Sequence, residues 1–411
     1  MVKIRFLHAA DLHLDSPFKG LEHLPAEIFQ KVRKSTFQSL TRLVDVAIDQ
    51  KVDFVLLAGD LFDMEQRSLF AQAKLRNEFL RLQKQHIPVY VIHGNHDFID
   101  QRSQSFHYPD NVHIFADTVG CLPFIKNGEH LANLYGFSYN KRHFTENMSV
   151  NYIKQDHHVP FHIGLLHGNL SGRDGHDPYA PFTLPDLLDK DFHYWALGHI
   201  HKREVLHQHP PIVYPGNIQG RHKKETGLKG VYLAEMHEGK KTELQFIPTS
   251  SINWESFQLS IDEHMTLDEL LESMKNTVEG VRGENRGALL SFEFIGNGEL
   301  HHVLQDPHQL DDLLVLLNEG EERKDNFIFV YSIKLSTMIS YSKEELREKT
   351  FYQDLFAITE QTNSLQEIVR PLFKHGEARK FLDTFSEEEE KEIIAEAENW
   401  LVTKFLEHEK G

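Results

Sequence analysis

Three short runs near the start of the chain are apolar at nearly every position: KIRFLHAAD (3–11), DFVLLAGD (53–60) and PVYVIHGN (88–95). Each is rich in β-formers and ends in Gly or polar residues, as expected of a strand buried on both faces that leaves its sheet in a sharp turn. Between them, residues 27–50 and 67–85 place apolar side chains at helical spacing, with Leu40, Leu43, Val44 and Ala47 in the first stretch and Phe79, Leu80 and Leu82 in the second. Strand–helix–strand repetition predicts parallel pairing with helical crossovers. After residue 110 the strand-like runs crowd together: NVHIF, LANLYGFSY, FHIGLLHGN, HYWALGHIH, PIVYPGN, GVYLAEM and ELQFIP. They predict a second sheet packed on the first, giving a layered α/β body, a β-sandwich flanked by helices, over residues 1–250.

A separate unit follows. Thr266 and Glu269 form a capping-box pattern before a helix whose apolar face is Leu267, Leu270, Leu271, Met274 and Val278. Strand-like ALLSFEFI (288–295) and NFIFVYSIKL (326–335) flank it, which predicts a small α/β capping domain over 251–340. From 341 to 411 the pattern is helical. Ser364 with Glu367 and Ser386 with Glu389 are further capping boxes, and Ile394, Ala397, Leu401 and Phe405 share one face of the last helix.

A chain of 411 residues is too long for one ordinary domain, so a division into several units is expected on size alone. One cysteine, Cys121, rules out an internal disulfide framework and suits a reducing compartment. The N-terminus runs straight into a strand pattern without a leader, and nowhere do eighteen apolar residues run together, so a cytoplasmic chain with no membrane span is expected. The net charge of -18 argues against a polyanionic substrate only until it is mapped. Residues 251–340 carry 6 basic against 17 acidic side chains and residues 341–411 carry 10 against 17, which accounts for the whole imbalance. The first 250 residues are neutral and hold 22 of the 28 histidines. Charge therefore does not exclude a phosphate-rich substrate at the body.

Five strand ends carry residues able to bind metal: ADLHLD with Asp11 and His13; AGDLFD with Asp60 and Asp63; HGNHDF with Asn95, His96 and Asp97; LLHGN with His167; LGHIHK with His199 and His201. Carboxyl ends of parallel strands face one edge of a sheet, so residues distant in sequence can meet there. Asp11 and His13, two apart, can lean toward one ion. Asp60 follows Gly59, and its two oxygens can bridge two ions; Asn95 offers a neutral amide oxygen. His199 and His201 bracket Ile200, a spacing that lets their rings serve neighbouring ions. Mixed His, Asp and Asn donors suit manganese, iron or zinc, and a thiolate site is out. Taken singly, each segment reads equally well as a polar turn. The ordered set of five is hard to obtain by accident.

DxH, GDxxD, GNHD, a later His after an apolar strand, and GHxH together resemble the signature of the calcineurin-like metallophosphoesterases, over about residues 3–247. Within that superfamily FLHAADLHLDSPFKG, AGDLFD and YPGN are similar to the SbcD-type nucleases of DNA repair, and nearest to the bacterial YhaO-type branch. The resemblance implies two divalent cations, Mn2+ first among them with Fe2+ or Zn2+ as alternatives. One would be held by Asp11, His13, Asp60 and His201, the other by Asp60, Asn95, His167 and His199. It further implies a water activated between them for in-line attack on phosphorus, with His96 acting on the leaving group and Asp97 orienting His96. Asp63 stands where some nuclease relatives have a histidine.

The expected activity is that of an SbcD-type DNA exo/endonuclease subunit. The alternative is a phosphoesterase acting on nucleotides or cyclic nucleotides, which would sit more easily with the acidic region after 250. Arg221, Lys223 and Lys224 in RHKKETGLK, after YPGN, are the candidate substrate-binding residues, with Lys202 and Arg203 beside GHIH. By the same resemblance, the C-terminal helices would dock on an SbcC-type coiled-coil ATPase, and two copies would pair through the helix near 67–85.

Overall fold

The computed structural model describes residues 2–63, 68–98, 107–172, 179–263, 266–361, 365, 368–369, 371 and 387–409. The pattern Ser364/Glu367 and the capping position Ser386 fall outside these residues. The first half alternates as its apolar spacing predicts: β1 (Lys3–Ala9), α1 (Ala26–Asp49), β2 (Phe54–Ala58), α2 (Leu69–Lys84) and β3 (Val89–Ile92). Then come β4 (Val112–Ile114), β5 (Gly120–Lys126), β6 (Glu129–Gly136), β7 (Phe161–His167), the short α3 (Leu184–Leu188), β8 (Tyr194–Gly198), β9 (Glu204–Gln208) and β10 (Pro211–Tyr214). Two further strands, β11 (Gly230–His237) and β12 (Glu243–Pro248), complete the body.

These strands form two six-stranded sheets, one in the order β12-β11-β1-β2-β3-β4 and the other β5-β6-β7-β8-β10-β9. Strands β1 to β4 pair in parallel, as do β6, β7 and β8. The partition differs from the sequence expectation in one respect. NVHIF, GVYLAEM and ELQFIP do not join the second sheet; they extend the first, with β11 running antiparallel against β1. Spacing along the chain marks a strand but does not say which open edge it will take.

The continuous apolar runs are explained by burial on both faces. In β2, Phe54, Leu56 and Ala58 point into the core between the sheets, while Val55 and Leu57 pack with Leu40, Leu43 and Val44 of α1 and Phe79 of α2. In β8, Tyr194 and Ala196 face the inter-sheet core, and Trp195 and Leu197 face a third cluster on the outer side of the second sheet. His8, to which the sequence gave no role, ties the sheets together: its ring nitrogens lie 3.0 Å from Tyr194 Oη and 3.1 Å from the Leu197 carbonyl.

The rest of the chain contains a three-stranded sheet of β13 (Ile252–Ser260), β14 (Gly287–Asn297) and β15 (Ile328–Met338). The helix α4 (Leu267–Val281) starts at the expected capping box, with Glu269 N–H donating to Thr266 Oγ1 at 3.2 Å and Thr266 N–H to Glu269 Oε2 at 3.1 Å. Its buried face is Leu270, Met274 and Val278. Two helices between β14 and β15, α5 (Leu300–Leu304) and α6 (Pro307–Asn318), were not anticipated, although Asp306 caps α6 and Pro307 opens it. Helices α7 (Lys343–Leu346) and α8 (Thr350–Gln361) and a terminal helix Glu387–Glu409 follow. The chain divides into two compact units, one of Met1–Glu255 with Val281–Leu290 and Gly320–Phe329, the other of Ser256–Gly280, Ser291–Glu319 and Val330–Gly411. No helix among the described residues is long and apolar enough to cross a membrane.

Candidate metal centre

Parallel pairing brings the ends of β1, β2 and β3 to one edge, with Ala9 opposite Leu57 and Ala58 opposite Ile92, and places His167 opposite Gly198 in the second sheet. The loops leaving β1 and β2 then run side by side. Asp11 N–H donates to Gly59 O at 3.1 Å, His13 N–H to Asp60 O at 3.0 Å and Leu14 N–H to Leu61 O at 3.0 Å. Four of the candidate ligands, Asp11, His13, Asp60 and His199, take positive φ of 52°, 42°, 52° and 97°. Side chains rarely adopt that conformation, which costs about 1–2 kcal/mol per residue, so surrounding structure must hold it. Glycine does part of this work. A Cβ on Gly59 or Gly94 would collide with the His167 ring, and one on Gly198 with the Ala58 carbonyl. Gly59 thus clears space for an imidazole rather than for the ions themselves.

All seven expected ligands meet. His13 Nε2 lies 3.0 Å from His201 Nε2, and Asp60 Oδ2 lies 3.8 Å from His13 Nε2 and 3.4 Å from His167 Nε2. Asn95 Oδ1 is 3.0 Å from His167 Nε2 and 3.3 Å from His199 Nδ1. The Asp11 carboxylate accepts the His199 backbone N–H at 3.0 and 3.1 Å. Asp11, His13 and His201 could hold one cation, and Asp11, Asp60 and His167 could hold another. Asp11, His13, Asp60 and His167 are all buried.

The donor set fits cations on grounds of its own. His201 Nδ1 hydrogen-bonds Glu225 Oε1 at 2.7 Å, and His167 Nδ1 lies 2.9 Å from the Ala58 carbonyl. Each ring uses its proton there, which leaves Nε2 as a lone pair directed inward. The His167 lone pair confronts the oxygens of Asp60 and Asn95, and that of His201 faces His13 Nε2. Around His167, acceptors so close call for positive charge between them, a proton or a cation. Burial works against a charge on His167, yet Asp60 and Asp11 outweigh it and push its pKa up to about 9. A pocket that favours positive charge at this nitrogen also suits a cation there. Burial, helped by the charge of Arg221, pushes His13 down to about 3. Burial raises Asp11; at Asp60 it is outweighed by His167, His13 and His96, which hold that carboxyl well below the usual range.

Two expected roles change. The Asp97 carboxylate accepts from Gly94 N–H at 2.7 Å and Leu61 N–H at 2.8 Å and lies 3.1 Å from His93 Nδ1. It braces the turn instead of orienting His96. His96 is positioned by other groups: its Nδ1 lies 2.8 Å from the Asp63 carbonyl and its N–H donates to Asp60 Oδ1 at 2.9 Å. Arg221, expected to meet phosphate, is half-buried and ion-paired through Nη1 to Asp63 Oδ1. That same carboxylate oxygen lies 3.3 Å from His13 Nδ1, outside hydrogen-bond geometry. The carboxylate at position 63 thus claims the arginine that the sequence assigned to substrate.

A cavity of about 780 Å³ opens on the cluster. Asp60, His96, His199 and His201 line one part of it, and Lys202, His222, Lys224 and Lys229 another. Lys224 is therefore placed as expected beside the ligands. Lys223 is exposed and does not line this cavity. Sequence reasoning missed Glu225, a buried acid within a basic run. Its Oε1 binds His201, and its Oε2 accepts from Asn217 Nδ2 at 2.8 Å and Arg221 N–H at 2.7 Å. Burial opposes its charge, but these partners hold it well below the carboxylate range. Outer partners of metal-bound histidines typically contribute about 10–100-fold in metal affinity, so Glu225→Gln is expected to weaken manganese binding by that factor in a calorimetric titration.

The fold and this clustering define a metal-dependent phosphoesterase, and the chain belongs to the calcineurin-like phosphoesterase family, whose profile matches residues 4–203. It is 40% identical over 402 residues, 97% of each chain, to the uncharacterized metallophosphoesterase YhaO of Bacillus subtilis (strain 168). It is 24% identical over 417 residues to the DNA double-strand break repair protein Mre11 of Sulfolobus acidocaldarius, covering 95% of this chain and 97% of that one. The Mre11 of Methanococcus maripaludis is 28% identical over 220 residues, 49% of this chain and 53% of its own.

Proposed function

We propose that this phosphoesterase is a DNA exo/endonuclease subunit of SbcD type that hydrolyses phosphodiester bonds. The observation that carries the reading is the wall of Lys202, His222, Lys224 and Lys229 in the same cavity as the metal ligands, on a body that is neutral overall. Phosphate backbones are met by such side chains. Likeness to a break-repair protein along nearly its full length supports it.

A pair of divalent cations, Mn2+ in our reading, would polarise the phosphoryl oxygens and lower the pKa of a water for in-line attack. Asp11, His13, Asp60 and His201 would hold one cation and Asp60, Asn95, His167 and His199 the other. His96, anchored through Nδ1 on the Asp63 carbonyl, serves the departing oxygen with its free Nε2. Lys202 and Lys224 offset the charge of the bound strand. The same reading has an SbcC-type coiled-coil ATPase covering exposed Phe351, Ile358, Trp400 and Phe405, and a second copy covering exposed Leu69 and Phe70 at the start of α2.

The test compares manganese-dependent hydrolysis of linear duplex, single-stranded DNA and bis(p-nitrophenyl) phosphate across a salt series. DNA cleavage is expected to fall steeply, with a log–log slope of roughly −0.7 to −0.9 per phosphate engaged, while the small ester stays level. Turnover of the small ester with no cleavage of either DNA would move the assignment to a nucleotide phosphoesterase.

A further inference from the structure

Lys229 is a buried cation with little to neutralise it. The residue is 9% exposed, and it lines the cavity that also holds Asp60, His96, His199 and His201. Its Nζ makes one long hydrogen bond, to the His201 carbonyl at 3.4 Å, although an ammonium has three donors to place. Burial works against the lysine's charge and lowers its pKa from the usual value; Glu225, the acid that could have paired with it, favours the charge. Both Glu225 oxygens are already engaged, one by His201 and the other by Asn217 and the Arg221 N–H, and among the described residues none forms an ion pair with Lys229. Buried charges are ordinarily paired or ligated. An ammonium left short of acceptors on a wall facing metal ligands is built for an anion that arrives from outside.

We propose that Lys229 binds the phosphoryl group undergoing reaction, donating from Nζ to one of its non-bridging oxygens on the His201 side. A phosphoryl group spanning the metal ligands would supply the acceptor that the resting lysine lacks. Lys229 then adds a third positive contact to that group, from a largely buried side chain whose charge is less screened than that of a surface lysine. Arg221 is already paired with Asp63 through Nη1, and Lys224 is exposed to solvent. The inference rests on the two-cation phosphoesterase reading and is indifferent to whether the ester is DNA.

The experiment titrates inorganic phosphate into the manganese-loaded full-length chain by calorimetry, for the native protein, Lys229→Met and Lys229→Gln. Loss of one charge-assisted hydrogen bond is expected to raise the phosphate Kd by about ten- to a hundred-fold in both variants. Manganese content and the thermal midpoint should stay at native values, and KM for bis(p-nitrophenyl) phosphate should rise. A phosphate Kd within about two-fold of native in a folded, metal-replete variant would overturn the assignment. So would a loss of metal or of folding in both variants, which would make Lys229 a support for the His201 loop. A native protein that takes up manganese yet neither binds phosphate nor turns over the ester would fail at the phosphoesterase reading itself.

Discussion

Purified in the presence of manganese, an Asp60→Asn chain is expected to retain little or none of the metal and to hydrolyse esters at the background rate. Asp60 stands against a ligand of each half of the centre, 3.8 Å from His13 Nε2 and 3.4 Å from His167 Nε2, although Asp11 also falls in both triads. An asparagine has the same shape but no charge, so the fold should survive while each cation loses an anionic ligand. Outer-shell losses alone cost about 10–100-fold per ion, so removal of an inner ligand shared by two ions should cost at least about 10⁴-fold in combined affinity. Metal analysis of the dialysed protein, read beside turnover, checks this. Native metal content in the variant would show that the bridge lies elsewhere.

The second large effect is at His96. His96→Ala is expected to keep its metal and lose about 10²–10⁴-fold in kcat, the usual contribution of a positioned acid or base. The ring is held from behind by the Asp63 carbonyl and touches the expected ligands through an edge contact with the His13 ring, centroids 5.0 Å apart. The loss should be largest for esters with poor leaving groups and smallest for p-nitrophenyl esters, whose departing oxygen needs little help. Undiminished turnover on both kinds of ester would remove His96 from the chemistry.

What could be read in advance follows from what periodicity and local chemistry encode. Strands such as FVLLA are buried on both faces, so their apolar runs announce them, and their polar ends announce where ligands can gather. The seven candidate ligands could be picked out because each sits within a few residues of a strand end. Edge choice was not legible: β11 joins β1 of the first sheet, hundreds of residues back, through backbone pairing that no local pattern specifies. Asp97, Arg221 and Glu225 were misjudged or missed for a related reason. Their roles depend on which neighbour the fold delivers, and a carboxylate at position 63 was enough to draw Arg221 away from the cavity. The helix α6 is different, since Asp306, Pro307 and the leucines after them signalled it plainly.

The whole account turns on Asp60 lying between two cations. Anomalous diffraction from a crystal of the full chain soaked in manganese measures that directly. Two peaks about 3.5–4 Å apart are expected, one bounded by Asp11, His13 and His201, the other by Asn95, His167 and His199, with Asp60 touching both. A single peak away from Asp60, or none at full soak, would contradict it.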